Sequence, residues 1–348
     1  MRNNRIVAID FLRSVSIVIM IMANSAAYVL EKPHSLLLRF VFSLAAPTFI
    51  FLSGYSFNIS FHKKFSKKEK YISGLYLFVT AAFIDSFIWH IYPFCTFDVL
   101  YLIATGIIIN TLIADWNYNK KLLLILILIT SHLVFLKFIN YRFEITEIQT
   151  SEKPKIVYQI FMNDIQIWKR FLFDGWFPIF PWLAFAIAGN VVAERTKAII
   201  NNKIFYGITS AFVILCGILL FIKLTPTQLE RDDYLELFYP PNLLFIISVI
   251  GLLIFSIVFS YKINNTTNKF LLAFCELGKK SLFVYILHAA VISFYVSNLG
   301  PYNLKQFGLV CILFTAFCLA IVLSIKLLQQ KNYISIIPLP ILKILGLK

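Results

Sequence analysis

The sequence predicts an all-α protein, a polytopic transmembrane bundle of about ten helices with a weaker eleventh at the end, and with both termini cytoplasmic. Three observations predict it. First, 59% of the 348 residues are hydrophobic and the mean hydropathy is +0.80, whereas a soluble domain is nearer about 45–50% apolar. Second, the apolar residues gather in successive runs of the roughly 20 residues that a helix needs to cross a bilayer core. Third, only 14% of the residues are charged, and they collect between the runs with alternating sign. The 36 Phe and 17 Tyr suit helix faces and the membrane interface.

Taken in order, the expected spans are approximately 7–30, 36–59, 71–91, 97–114, 121–138, 176–193, 204–223, 241–260, 281–298 and 307–327. The first opens with Arg2 and Arg5 and imitates a signal peptide, but Asp10 and Arg13 interrupt its approach to the apolar core. It is expected to be a retained helix. A tight turn containing Pro93 joins the third and fourth spans. The tail from Ile334 to Leu347 is apolar but broken by Pro338 and Pro340, which suits the interface better than a crossing. No internal repeat or low-complexity run is visible, and the matched broken helices of many transporters are missing from the sequence pattern. One transmembrane domain over 1–348 is therefore expected, with 329–348 as a cytoplasmic or interfacial tail.

Ten spans divide the charges unevenly. The side holding both termini has 20 basic and 4 acidic residues, and the opposite side has 11 basic and 12 acidic, with Asp10 and Arg13 cancelling. Lys and Arg favour cytoplasmic loops, which places both ends inside. The same rule accounts for the net charge of +15, so no nucleic-acid partner is expected. Two outer loops are long: 139–175 and 224–240, the latter with Glu230, Asp232, Asp233 and Glu236. They read as solvated loops or as a rim for a polar substrate. The five cysteines (Cys95, Cys216, Cys275, Cys311 and Cys318) form no CxxC pair and read as inert membrane thiols. No His/Cys/Glu group has metal-ligand spacing, so no metal is expected.

An ionisable residue inside a membrane is expensive, and is a functional candidate by default. Asp10 and Arg13 are three apart and share one helix face. They read either as an ion pair near the cytoplasmic end or as an anion-binding arginine with its partner. Asn24 lies near the outer end of the first span and His34 begins the second. An imidazole can take and return a proton near neutral pH, and an asparagine beside it can orient it or donate to a developing oxyanion. Ser281 and His288 are seven apart, about 10 Å along a helix axis at roughly 1.5 Å per residue, so they cannot bond each other. His288 reads as a site residue or as a structural hydrogen-bonding group. Asp85, His90 and Asp98 are further candidates near the outer face.

Four ordered blocks resemble a known family. Arg5-Ile6-Val7-Ala8-Ile9-Asp10-Phe11-Leu12-Arg13, followed by an apolar run to Asn24, resembles the opening of transmembrane acyltransferases. Ala46-Pro47-Thr48-Phe49-Ile50-Phe51-Leu52-Ser53-Gly54-Tyr55 resembles their second helix. Phe177-Pro178-Ile179-Phe180-Pro181-Trp182 through Gly189 resembles the F-P-x-x-P-W…G segment of the heparan-alpha-glucosaminide N-acetyltransferase branch, which adds Trp182 as a candidate. Leu277-Gly278 through Ser281 and Tyr285 to His288 resembles its late segment. The blocks span about residues 5–290. The related O-acylating family ends its first block in His, whereas this chain has Asn24, with His34 a loop later as in the N-acetyltransferase branch. Ser14 departs from the glycine that commonly follows the arginine, so heparan is not assumed as substrate.

The resemblance implies acetyl transfer across the membrane. Acetyl-CoA is the expected donor, entering from the cytoplasm, with Arg13 and Ser281 as contacts. His34 and Asn24 are the expected catalytic pair, acting by general base or by an acetyl-histidine. The expected acceptor is a saccharide or glycolipid amine or hydroxyl on the outer side, and the expected location is a bacterial inner membrane. A homodimer is a further expected partner state. Two alternatives stand beside this reading: an O-acetylase of surface polysaccharide or lipid-linked sugar, and a non-enzymatic transporter or flippase.

Overall fold

The structure is a computed structural model that describes residues 6–61, 66–138, 167–221, 241–331, 333 and 338–347. Among these residues are thirteen α-helices of six or more residues and no strand, apart from one parallel bridge between Leu30 and Tyr302. The helices are α1 (Val7–Val29), α2 (Leu36–Phe42), α3 (Ala45–Phe61), α4 (Lys67–Ile84), α5 (Val99–Leu112), α6 (Tyr118–Phe138), α7 (Ile179–Asn201), α8 (Lys203–Phe221), α9 (Leu243–Ser260), α10 (Lys269–Lys279), α11 (Ser281–Phe294), α12 (Leu304–Gln330) and α13 (Leu339–Ile344). The outer loops expected at 139–175 and 224–240 lie outside the described residues, except 167–175.

Each of the ten expected spans contains a helix. Among the described residues seven helices are long and apolar enough to cross a membrane, or eight if the bent pair Ile167–Asp174 and Ile179–Asn201 is one span. One expected span, at α5, holds a shorter helix for a local reason. Asp98 caps the helix, its Oδ1 accepting from Val99 N at 2.6 Å, and Ile113 leaves helical geometry. Fourteen residues remain, about 21 Å at 1.5 Å per residue, against a core of about 30 Å. The flanking apolar residues that lengthened the expected span are not helical.

Caps mark the helix starts. Ser66 and Glu69 form a reciprocal capping box on α4, and Asn303 and Gln306 form one on α12. Pro178 precedes α7, and Phe180 is non-helical (φ −92°, ψ 119°) just before Pro181, as expected of a residue preceding proline. The expected loop 262–280 holds a correction. Asn268 caps an 11-residue helix there, α10, which packs on α1.

The chain divides into two compact units. The first contains Met1–Thr48 and Ile254–Lys348. Its centre is α1, with Ala8, Ile17, Ile21 and Ala26 fully buried. At one end α1 crosses α10 so closely that a Cβ added at Gly278 would lie 1.9 Å from the Asp10 carbonyl oxygen. Ser14 Oγ fixes this crossing, donating to Phe274 O at 2.8 Å and accepting from Gly278 N at 2.9 Å. At the same end Lys279 and Lys326 both bond Glu276, and Lys280 bonds Gln329. The tail does not cross the membrane in its described part. α13 has six residues, and Gln329 Nε2 bonds Leu347 O at 2.9 Å. At the opposite end the loop 299–302 straps over the end of α1. Tyr302 N donates to Val29 O at 2.7 Å and Glu31 N to Tyr302 O at 3.0 Å. Gly300 there has φ +84°, a left-handed conformation natural to glycine.

The second unit spans Phe49–Tyr234 and Phe238–Leu253. Here α3 and α7 touch through glycine. A Cβ at Gly54 would fall 1.7 Å from Ala186 O, and one at Gly189 would fall 1.9 Å from Phe51 O. One turn along, a polar chain runs through the interior. Asn58 Nδ2 donates to Asn190 Oδ1 at 2.8 Å, Asn190 Nδ2 donates to Asn110 Oδ1 at 2.6 Å, and Lys121 pairs with Glu194. Lys121 is only 2% exposed. Removing Glu194 would leave the buried Lys121 ammonium uncompensated, which typically costs about 3–5 kcal/mol.

Candidate active site

Helix α1 builds the site of the first unit. Arg13 and Asn24 are eleven residues apart, which is close to three full helical turns. They therefore lie on one face of α1, about 16 Å apart along its axis. The strap from 299–302 holds the end of α1 beyond Asn24, and the crossing with α10 holds the end before Arg13.

Asn24 is half-buried, and its Nδ2 donates to His288 Nε2 at 3.0 Å. Because Nε2 accepts, the proton of the neutral imidazole sits on Nδ1. His288 is fully buried on α11, and its ring meets Tyr285 edge-on at 5.0 Å. The imidazole also approaches the backbone carbonyls of Tyr285 and Val284, one turn back on α11, without a hydrogen bond of good geometry at Nδ1. Ser25 Oγ, next to Asn24, is buried without a hydrogen bond. The structure thus joins Asn24 to His288, a pairing across 264 residues that no spacing rule in the sequence reveals.

His34 lies in the connection between α1 and α2, half-buried, with its Nε2 3.3 Å from Leu30 O. Nε2 donates to that carbonyl, which leaves the Nδ1 lone pair to take a proton. Burial lowers the His34 pKa from its ordinary 6.5, and the nearby Arg39 and Lys32 charges lower it further. The imidazole is therefore neutral at pH 7 and poised as a base. Ser35 then caps α2, accepting from Leu38 N.

Arg13 and Asp10 form the (i, i+3) ion pair, 3.9 Å apart. Asp10 is buried, while the Arg13 side chain keeps 23% exposure. Ser281 is the half-buried first residue of α11. Arg13, Lys279, Lys280 and Lys326 give this end of the unit its cationic character.

The remaining candidates belong to the second unit. Asp85 is 1% exposed and accepts from Tyr101 Oη at 2.6 Å, where α4 widens into a π turn. His90 ends that turn, exposed and left-handed at φ 57°. Asp98 has the structural task of capping α5. Trp182 is buried between Phe177 and Phe185. Arg170, which sequence reasoning passed over, is buried and donates to Cys95 O at 2.6 Å. Its only signal was a guanidinium close to an apolar run. Among the described residues no group of three or more His, Cys, Asp or Glu side chains could hold a metal ion.

A family model described as heparan-alpha-glucosaminide N-acetyltransferase, catalytic, matches residues 5–217. The match contains Arg13, Asn24, His34 and Trp182, and ends before Ser281 and His288. A comparison with curated proteins finds no match.

Proposed function

This chain belongs to the heparan-alpha-glucosaminide N-acetyltransferase family, and on that premise we propose that it moves an acetyl group from cytoplasmic acetyl-CoA to a saccharide or glycolipid amine or hydroxyl on the other side of the membrane. Family membership and the apolar helices make it a membrane acetyltransferase. The donor, the sidedness and the residue roles are our reading. The family match over residues 5–217 is the observation that carries it. The polarity of α1 supports it, with a guanidinium towards one end and a hydrogen-bonded amide towards the other.

In this reading the cationic end of the first unit meets the donor phosphates. Guanidinium and ammonium groups suit that task, and Arg13 is partly exposed there. At the other end, neutral His34 takes the proton from the acceptor as its nitrogen or oxygen attacks the thioester carbonyl carbon. The new C–N or C–O bond forms, the C–S bond breaks, and the sulfur leaves with a proton as the thiol. A route through an acetyl-imidazole on His34 begins from the same neutral ring. Asn24 lines the acceptor side.

The test separates binding from chemistry. Purified His34→Ala is expected to bind radiolabelled acetyl-CoA as the parent does and to lose transfer by about 10²–10⁴-fold. Full turnover in His34→Ala overturns the role of His34. Lack of saturable donor binding in the parent overturns the whole reading. Mass spectrometry of the product distinguishes amide from ester.

A further inference from the structure

We propose that His288 is a positioning residue, one that fixes the orientation of the Asn24 side-chain amide and thereby sets which hydrogen-bonding atom Asn24 shows to the acceptor. The inference rests on the acetyl-transfer reading above for its consequence, and on the geometry of the first unit for its cause.

An asparagine amide has two faces of opposite character, a donor nitrogen and an acceptor oxygen. A free side chain can turn to offer either. Asn24 does not have that freedom, because its Nδ2 is engaged with His288 Nε2 at 3.0 Å. The imidazole is held in turn. It is fully buried and packs edge-on against Tyr285, and because an amide nitrogen can only donate, the bond to Asn24 puts the imidazole proton on Nδ1. That proton keeps Nε2 as the lone-pair atom. Hence Asn24 must present Nδ2 to His288 and direct Oδ1 away from it. Oδ1 makes no hydrogen bond among the described residues, and Asn24 is only half-buried.

The expected task of Asn24 changes accordingly. From sequence it was a candidate donor to a developing oxyanion. In this orientation the exposed atom is an acceptor. A primary amine attacking a carbonyl has one N–H for the base and another for Oδ1. A hydroxyl has one hydrogen only, and the base removes it. The fixed Oδ1 therefore favours an amine over a hydroxyl of the same shape. His288 contributes to this discrimination without touching the reacting atoms.

The test uses the full chain in detergent, with acetyl-CoA and two acceptors, an aryl glucosaminide and the matching aryl glucoside. His288→Leu removes the acceptor that Asn24 needs, and His288→Gln supplies one through its side-chain oxygen. In His288→Leu we expect the amine-to-hydroxyl ratio of kcat/KM to fall about tenfold, the scale of one hydrogen bond at the transition state, while the donor KM stays within about twofold. His288→Gln is expected to restore most of the ratio. An unchanged ratio in His288→Leu, or no rescue by His288→Gln, overturns the proposal. Should His288→Leu fail to fold, the tautomer decides. Nitrogen NMR of labelled histidine is expected to show His288 as the Nδ1–H form, lost in Asn24→Ala. An Nε2–H form overturns the proposal, since that nitrogen would then donate to a reversed amide. If the parent acetylates neither acceptor, the reading of function fails instead, and the NMR result still decides the role of His288.

Discussion

At the residue scale, the proposed site contains two histidines in opposite circumstances. His288 is sealed inside the first unit and His34 sits half-open in a loop. Only the second can exchange a proton with an incoming acceptor. Its pKa is lowered, with burial the largest cause and Arg39 and Lys32 adding to it. The sign of the pH dependence follows. Protonation switches the base off, so activity is retained through pH 7 and falls only on the acid side of 6.5, the ordinary value. Substituting Arg39→Gln with Lys32→Gln removes two repelling charges and raises the pKa, moving the acid limb of kcat/KM to higher pH. Because burial outranks both charges, the limb is expected to remain below 6.5. A limb that stays in place or moves to lower pH removes this account. Asn24 and His34 could be chosen as candidates because a family-like block ends at Asn24 and an imidazole, which titrates near neutral pH, follows in the next loop. The Asn24–His288 bond could not, since it joins α1 to α11 across most of the chain.

Among the elements, the helix crossings explain residues that the sequence showed only as a resemblance. Three of the four family-like blocks contain Gly54, Gly189 and Gly278, and each glycine lies where a backbone oxygen of another helix occupies the space of a Cβ. Ser14 replaces the usual glycine and bonds across the same crossing as Gly278. Gly189→Ala is therefore expected to destabilise the chain by about 1–3 kcal/mol or more through overpacking, read as a lower Tm with reduced yield. Gly207→Ala, at a glycine with open space around it, is expected to leave Tm unchanged or slightly higher. Equal effects at both positions count against the crossing. Apolar periodicity located the helices themselves. It did not locate α10, because Lys262 to Lys280 is charged enough to read as a loop. It overestimated the length of α5, because hydropathy counts residues beyond the Asp98 cap.

For the whole molecule, charge asymmetry gives the proposed sidedness, and that expectation is open to direct measurement. Glu31→Cys is expected to react with a membrane-impermeant maleimide added outside intact cells, and Lys120→Cys only after the cells are opened. The reverse pattern reverses the proposed direction of transfer. The described cysteines Cys95, Cys275, Cys311 and Cys318 are all buried, and labelling of the parent chain sets the background. The two compact units carry different kinds of polar interior. The first places its buried polar groups at the two ends of α1, and the second threads an asparagine chain between α3, α5 and α7. Sequence inspection found the ends of α1, where motif and charge coincide. It passed over the asparagine chain, because single asparagines in apolar runs carry no charge to mark them.

The strap across the end of α1 limits what His34 can do. Main-chain bonds from Tyr302 tie down Val29 and Glu31, and Ser35 is committed to capping α2. Only Lys32, Pro33 and His34 lie between these moorings, a reach of about 10 Å even if fully drawn out. An acetyl group on His34 could not be ferried from one mouth of the membrane to the other as on a swinging arm. The imidazole is a fixed post. In the proposed reaction, by either route, donor thioester and acceptor would both have to reach this one spot, and the long arm of the donor, not the protein, would span the membrane.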